Sequence, residues 1–221
     1  MVRWYMAKRE AYRFLLQNKI FEFPVSVEDY IEMNGWKLST LSEAASFSDM
    51  HPEEFRDFAM DGGDGAVWCH NDEYHIIYDY ATEPRTRFTL AHEIGHIQLD
   101  HLKDDPSLHF SNADTINLSA KEVEANVFAG RVLAPYTILL SEQYEKETEI
   151  MEDFGLSLSA AKVKMKELKC LVNLIEKGCD IFFKEAVEYH SAYCEYWGCF
   201  GNERFNPEKK KQMVYSCQPE G

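Results

Sequence analysis

The apolar and polar positions divide the chain into an early part, where helical and extended segments alternate, and a later part that is almost entirely helical. Apolar residues at helical spacing predict a first helix over 3–17, and Ser26 is typical of the cap of a short second helix. Two β-rich runs around a polar turn, 66–70 and 74–79, predict a hairpin, and 36–41 predicts another strand. This order favours an α+β fold over a doubly wound sheet.

The hydrophobic period becomes helical from Thr82, and it predicts a helix that continues to about His101. A polar stretch, 104–117, then predicts a loop, and a second helix opens at Ser119 and ends before Pro135. Further helices are predicted over 157–168 and 170–189. The two helices on either side of the loop are therefore expected to be neighbours.

Composition changes this picture mainly by exclusion. The chain has 221 residues, 45% of them hydrophobic, which is enough for a substantial core. Its formal net charge of −15 opposes non-specific binding to nucleic acid. The longest apolar-rich run, 132–140, is too short to cross a bilayer, so we expect no membrane helix. The charged start of the chain is unlike a secretory signal, and we expect a cytoplasmic protein with reduced cysteines.

Candidate chemistry lies inside the predicted helix that begins at Thr82. His92 and His96 stand four residues apart, so their side chains differ by only about 40° around the helix and can bind one metal ion. Glu93 is turned by about 100° from His92, which suits a general base acting on water better than a third ligand. The alternative is that both histidines are ordinary residues satisfied by hydrogen bonds.

A hydrolytic zinc ion usually takes three protein ligands, so a third ligand has to come from elsewhere. The metzincin spacing is excluded because Leu99 and Leu102 stand where that pattern needs glycine and histidine. Oxygen and nitrogen donors that match no named pattern follow at Asp100, His101, His109 and Asp114.

Glu122, in the next predicted helix, is the better candidate for the third ligand. Asn126 lies one turn further on the same face and could orient a ligating histidine, whereas Glu124 points elsewhere. Small residues on both helices, including Gly95 and Gly130, would allow a close approach. The alternative is that Glu122 belongs to a capping box with Ser119, which would engage its carboxylate.

The segments 85–96 and 122–135 together resemble the ImmA/IrrE family of metallopeptidases. The resemblance implies a zincin-like α+β core with a small sheet, a helix carrying the HExxH motif and a helix carrying the glutamate ligand. It implies a gluzincin-like Zn²⁺ protease in which His92, His96 and Glu122 hold the metal and Glu93 is the base. Ala134 stands where the family often has methionine.

The resemblance also implies a protein substrate, a helix-turn-helix transcriptional repressor. Cleavage of that repressor would switch on mobile-element or stress genes. An oxyanion-stabilising side chain would come from Tyr78, Tyr80, His109 or Tyr136, among which the sequence does not choose. The rival interpretation is a non-catalytic regulatory or antitoxin-like binding protein whose metal site is structural.

We expect a metallopeptidase domain over 1–135, a helical module over 136–200 and a flexible tail over 201–221. The turn before Ser157 is typical of a helix-turn-helix, and four lysines make the next helix basic, but the net charge favours packing or substrate holding over DNA binding. These lysines are Lys162, Lys164, Lys166 and Lys169. A second zinc site is a weaker alternative to scattered thiols; its donors would be His190, Cys194, Cys199 and Cys217.

Overall fold

The computed structural model of the protein describes residues 1–60, 62–103, 119–179 and 181–199. Within these ranges three strands are β1 (Lys37–Thr40), β2 (Gly65–His70) and β3 (Glu73–Tyr78). The helices are α1 (Trp4–Gln17), α2 (Val27–Met33), α3 (Leu41–Phe47), α4 (Pro52–Met60), α5 (Glu83–Gln98), α6 (Ala120–Leu133), α7 (Tyr136–Glu142), α8 (Glu147–Phe154), α9 (Leu158–Glu176) and α10 (Lys184–Cys199). The predicted α+β class, a small sheet followed by helices, is confirmed.

Two of the predicted helices differ from the observed ones at their ends. Helix α5 stops at Gln98 because Asp100 adopts a left-handed φ of 58°, and the His101 amide then bonds back to the His96 carbonyl. The predicted break at residue 169 is wrong: α9 continues to Glu176, since no glycine or proline interrupts it before Gly178. The predicted loop at 104–117 lies outside the described residues.

The sheet has the strand order β1-β3-β2, with β1 parallel and β2 antiparallel to β3. Alternate residues of the strands enter two separate apolar clusters, as the period of a strand requires. Val67 and Ile76 join the main core, whereas Ala66 and Ile77 pack with α3 and α4. Strand β2 is an edge strand, and it packs beside α5 on the side of the main core.

The main core extends from α1 to α10 and includes both the sheet and the later helices. Tyr189 of α10 donates to the carbonyl of Ile20 at 2.7 Å. The guanidinium of Arg87, in α5, donates to the carbonyls of Phe154 and Gly155 at the turn between α8 and α9. Gly155 has a φ of 57°, and a side chain there would overlap Arg87. The proposed boundary at residue 135 thus separates segments that pack on one another.

The helix-turn-helix-like part of the predicted module consists of α8, the turn at Gly155, and α9. Three of the four lysines that make this helix locally basic are exposed, but Lys164 is buried. No helix within the described residues has the length and apolar character needed to cross a bilayer. The predicted flexible tail, 201–221, lies outside the described residues.

Candidate metal centre

Helices α5 and α6 pack side by side and bring three donor side chains together. The Nε2 atoms of His92 and His96 lie 3.0 Å apart. Oε2 of Glu122 lies 3.1 Å from His92 Nε2, and Oε1 lies 3.4 Å from His96 Nε2. All three side chains are buried. In the described part of the chain this is the one cluster of three or more such donors with the geometry of a metal site.

The spacing of these donors can be compared with that of a tetrahedral zinc site. Ligand bonds of about 2.0 to 2.1 Å at tetrahedral angles place neighbouring donor atoms about 3.3 Å apart. The three separations of 3.0, 3.1 and 3.4 Å are close to this value. Two imidazoles and one carboxylate thus form a triangle of donors that fits a divalent ion, with a fourth position left for water or substrate.

A hydrogen bond to Asn126 fixes which nitrogen of His92 carries the proton. His92 Nδ1 lies 3.0 Å from Oδ1 of Asn126, one turn after Glu122 on α6. The amide oxygen can only accept, so Nδ1 is the protonated nitrogen and Nε2 keeps its lone pair. The sequence argument for Asn126 as the orienting residue is therefore matched by its position.

A second chain of hydrogen bonds does the same for His96. Oε2 of Glu124 accepts from His101 Nε2 at 3.1 Å, and His101 Nδ1 lies 3.1 Å from His96 Nδ1. Glu124 is also paired with Arg3, whose backbone amide donates to Oε1 and whose guanidinium donates to Oε2. Burial opposes ionisation, but the hydrogen bonds from Arg3 hold the pKa of Glu124 below its usual value.

This series of hydrogen bonds leaves the Nε2 lone pair of His96 directed at the Nε2 of His92. Because Glu124 accepts a hydrogen bond from the Nε2–H of His101, Nδ1 of His101 carries no proton and accepts from Nδ1–H of His96, which leaves the Nε2 of His96 unprotonated. Two bare nitrogens 3.0 Å apart repel one another unless a cation lies between them. The donor chemistry therefore fits a metal ion as well as the spacing does.

The carboxylate of Glu93 lies in the same region, on the side of α5 that faces β2. It is fully buried, and neither oxygen has a hydrogen-bond partner within the described residues. Burial raises the pKa of Glu93 to about 8, and the Glu122 charge acts in the same direction. A Cβ atom at Gly65 would lie 3.0 Å from Oε1 of Glu93, so this glycine lets β2 approach the carboxylate.

Small residues allow α5 and α6 to approach, though fewer than expected. A Cβ atom at Gly95 would lie 3.2 Å from the Cα atom of Ala125, so the helix backbones nearly touch at this point. Gly130 does not contribute, because it faces Lys164 of α9. Glycine is therefore needed for close approach at the first position only.

The capping role predicted as an alternative for Glu122 coexists with its place in the cluster. Ser119 Oγ accepts from the Glu122 amide at 3.3 Å and caps α6. The Glu122 carboxylate points the other way, towards the imidazoles. The cap therefore orients the first turn of α6 without engaging the side chain that the cluster uses.

The other candidates from the sequence lie in different places. Asp100 is exposed and pairs with Lys103, and the Tyr136 hydroxyl donates to the carbonyl of Ile181. His190 Nε2 lies 3.5 Å from Cys194 Sγ, while the side chain of Cys199 is not described. Three candidates lie outside the described residues: His109, Asp114 and Cys217. Sequence reasoning missed the orienting role of His101, which was weighed only as a ligand.

Comparison with known protein families agrees with this geometry. Residues 59–166 match the model of the family described as the IrrE N-terminal-like domain, Peptidase_M78. The match spans β2, β3, α5 and α6, and therefore all the residues of the cluster. No curated protein matches the chain.

Proposed function

The chain carries an ImmA/IrrE-type metallopeptidase domain over residues 59–166, and from this we propose that it is a zinc-dependent endopeptidase. In this proposal His92, His96 and Glu122 hold the metal and Glu93 is the catalytic base. The observation that supports it most is the convergence of three donor atoms at tetrahedral spacing, beside a buried carboxylate for which the described residues provide no hydrogen-bond partner.

The assignment of the metal follows from its donors. Two imidazole nitrogens and one carboxylate oxygen are a common set for catalytic zinc, which leaves a further position open. When bound, such an ion polarises the scissile carbonyl and lowers the pKa of water. Asn126 and the chain from His101 to Arg3 keep both histidines in the tautomer that can bind it.

Glu93 moves the proton in the proposed reaction. Its carboxylate takes a proton from the attacking water and then passes that proton to the leaving amine, so one group serves as base and acid in turn. The lack of a hydrogen-bond partner for either oxygen within the described residues supports this role, because no protein donor there competes with water for the carboxylate. Position 65, a glycine, lets β2 lie against this carboxylate without a side chain that would clash with it.

The family implies a protein substrate, and we propose that the substrate is a helix-turn-helix transcriptional repressor. Cleavage of a repressor would then regulate mobile-element or stress genes. The helices after residue 135 would hold or present that substrate, since Arg87 fixes the turn between α8 and α9 to the helix that carries the proposed base.

Replacing Glu93 with glutamine tests the proposal. We expect the E93Q variant to retain its metal, measured by elemental analysis of the purified protein, and to lose at least about a hundredfold in the rate of repressor cleavage. The matched control is E152Q, the same change at an exposed position of α8, which should cleave at the rate of the unmodified protein.

The same two measurements also distinguish the proposed peptidase from the rival interpretation, a non-catalytic binding protein. A non-catalytic binding protein with a structural metal would retain its metal in both variants, and neither would differ from the unmodified protein in any activity. If E93Q cleaves as fast as the unmodified protein, Glu93 is not the base. If the unmodified protein contains no stoichiometric divalent metal, the metallopeptidase assignment itself fails.

A further inference from the structure

A cavity of about 520 Å³ lies between α1, α6 and α9, and Asn126, which contacts His92, is among the residues that line it. Apolar side chains form part of its wall, among them Trp4, Val127 and Leu171. Four charged side chains also line it: Lys8, Arg131, Lys164 and Glu167. Three are cationic and one is anionic, so the lining is positive in a protein whose net charge is −15.

Arg131 is the most unusual of these residues. Only 7% of its surface is exposed, and its Nε and Nη1 atoms have no hydrogen-bond partner within the described residues. Its Cζ atom lies 4.5 Å from the centre of the Tyr136 ring, which holds the plane of the guanidinium. Buried donors without partners are costly in a folded protein, so their presence beside a cavity points to a missing acceptor.

Lys164 supports the same conclusion from the next helix. It is 8% exposed, and its Nζ donates to Glu167 at 3.0 Å, which leaves further N–H donors for another acceptor. Burial and the charge of Arg131 lower the pKa of Lys164 to about 8. A Cβ atom at Gly130 would lie 3.3 Å from this Nζ, so the glycine leaves room around the ammonium group.

The single carboxylate at the cavity does not balance these charges. Glu167 lies near Lys164, Arg131 and Lys8, and its carboxylate already accepts a hydrogen bond from Lys164. An acceptor with two or more oxygen atoms would match the planar donors of Arg131 and the point charge of Lys164 together. Carboxylate and phosphate groups both have that geometry.

We propose that the cavity is a binding site for a small oxyanion, a carboxylate or phosphate group on an apolar body, with Arg131 and Lys164 as its charged donors. The apolar wall near Trp4 and Leu171 would contact the body of the ligand. This site does not depend on the proposed peptidase activity, because Arg131 and Lys164 lie outside the metal cluster, and of the residues that orient the cluster only Asn126 also lines the cavity.

The proposal is tested by titrating sodium phosphate and sodium butyrate separately into the metal-loaded full chain, with sodium chloride used to keep the ionic strength constant. Isothermal titration calorimetry measures the binding, and tryptophan fluorescence reports on Trp4. We expect saturable binding of at least one anion beyond that seen with chloride alone. The two arms distinguish the headgroups, since phosphate lacks an apolar body and butyrate has one.

Variants locate the site. Replacing Arg131 or Lys164 with methionine should weaken binding by at least about tenfold, because each removes a charge-assisted hydrogen bond. The matched control is K166M, at an exposed position of α9, which should bind as the unmodified protein does. In W4F the calorimetric signal should persist while any fluorescence change from Trp4 is lost.

Two results would overturn the proposal. One is that neither anion shows saturable binding; the other is that the folded R131M and K164M variants bind the anion as tightly as the unmodified protein does. Circular dichroism verifies that each variant is folded, and if R131M does not fold, K164M alone decides. None of these results bears on repressor cleavage or metal content, so the failure of this site would leave the proposed function untouched.

Discussion

The two faces of α6 use buried polar groups in opposite ways. On the face towards α5, each imidazole of the metal cluster is oriented through its Nδ1 atom, by Asn126 or by His101. On the face towards α9, the Nε and Nη1 atoms of Arg131 are buried and have no hydrogen-bond partner in the part of the chain that the structure describes. On the first face the protein itself supplies the hydrogen bonds that orient the side chains, whereas on the second the described residues supply no acceptor for these two guanidinium donors.

This difference shows how partnered and unpartnered groups indicate function. A network in which every orienting hydrogen bond is made specifies the direction of the remaining lone pairs, here those of the two Nε2 atoms. Buried guanidinium donors that lack a hydrogen-bond acceptor instead carry a cost to folding. The two faces should therefore respond differently to substitution, pH and added volume.

The largest expected effect concerns the stability of the protein with and without the Lys164 charge. The pKa of Lys164 is about 8 in the folded protein, against 10.5 for an ordinary lysine, because of burial and the charge of Arg131, with Glu167 opposing and Lys8 adding to the decrease. The penalty is complete below pH 8 and disappears as the pH rises towards 10.5. At about 1.36 kcal/mol for each pH unit, the unmodified protein should gain about 3 kcal/mol relative to K164M.

Urea denaturation of both proteins at pH 7 and pH 10, in phosphate-free buffer, measures this difference. The comparison with K164M cancels the titration of other groups that the two proteins share. K166M, at an exposed position, should follow the unmodified protein at both pH values. Parallel stability curves for K164M and the unmodified protein would mean that the ammonium group of Lys164 is not penalised in the folded state.

The metal cluster could be predicted from the sequence because its geometry is local. The spacing of His92 and His96 fixes their common face on one helix, and Glu122 with Asn126 does the same on the next. Only the packing of two neighbouring helices had to be inferred. The orienting role of His101 could not be predicted, because the position of this residue depends on the left-handed turn at Asp100, which no spacing rule indicates.

The cavity could not be predicted because its residues come from three helices that are far apart in the chain. The lysines at 162, 164, 166 and 169 make α9 locally basic in the sequence, but only the position of α9 across the cavity from α6 and α1 determines that Lys164 is buried. Helix α3 is a different case. Thr40 and Glu43 form a capping box at its start, and the spacing of these two residues is a helix signal that can be recognised in the sequence.

An intermediate effect is expected for the chain that orients His96. In H101F the shape of the side chain is roughly kept, but His96 Nδ1 loses its acceptor and the tautomer is no longer fixed. Loss of such an orienting contact typically weakens metal binding by about 10- to 100-fold. Competition with a chelator of known zinc affinity measures this change directly, without any assay of peptidase activity.

H190F is the matched control, a histidine of α10 replaced in the same way. Its contact is with Cys194, outside the metal cluster. The control should therefore retain the zinc affinity of the unmodified protein. If H101F binds zinc as tightly as H190F does, the hydrogen bond between His101 and His96 does not contribute to the site.

The smallest effects are expected from adding one methyl group beside each face. In G65A the new Cβ atom would lie 2.5 Å from Thr89 Cγ2 and 3.0 Å from Glu93 Oε1, so β2 or the carboxylate must shift. We expect a loss of about 1 to 2 kcal/mol in the free energy of unfolding. In G130A the new atom meets the end of a flexible lysine at 3.3 Å, and alanine suits a helix interior better by about 0.5 to 1 kcal/mol. Thermal unfolding should therefore move in opposite directions in the two variants; a G130A protein as unstable as G65A would indicate that the cavity is tightly packed around Lys164.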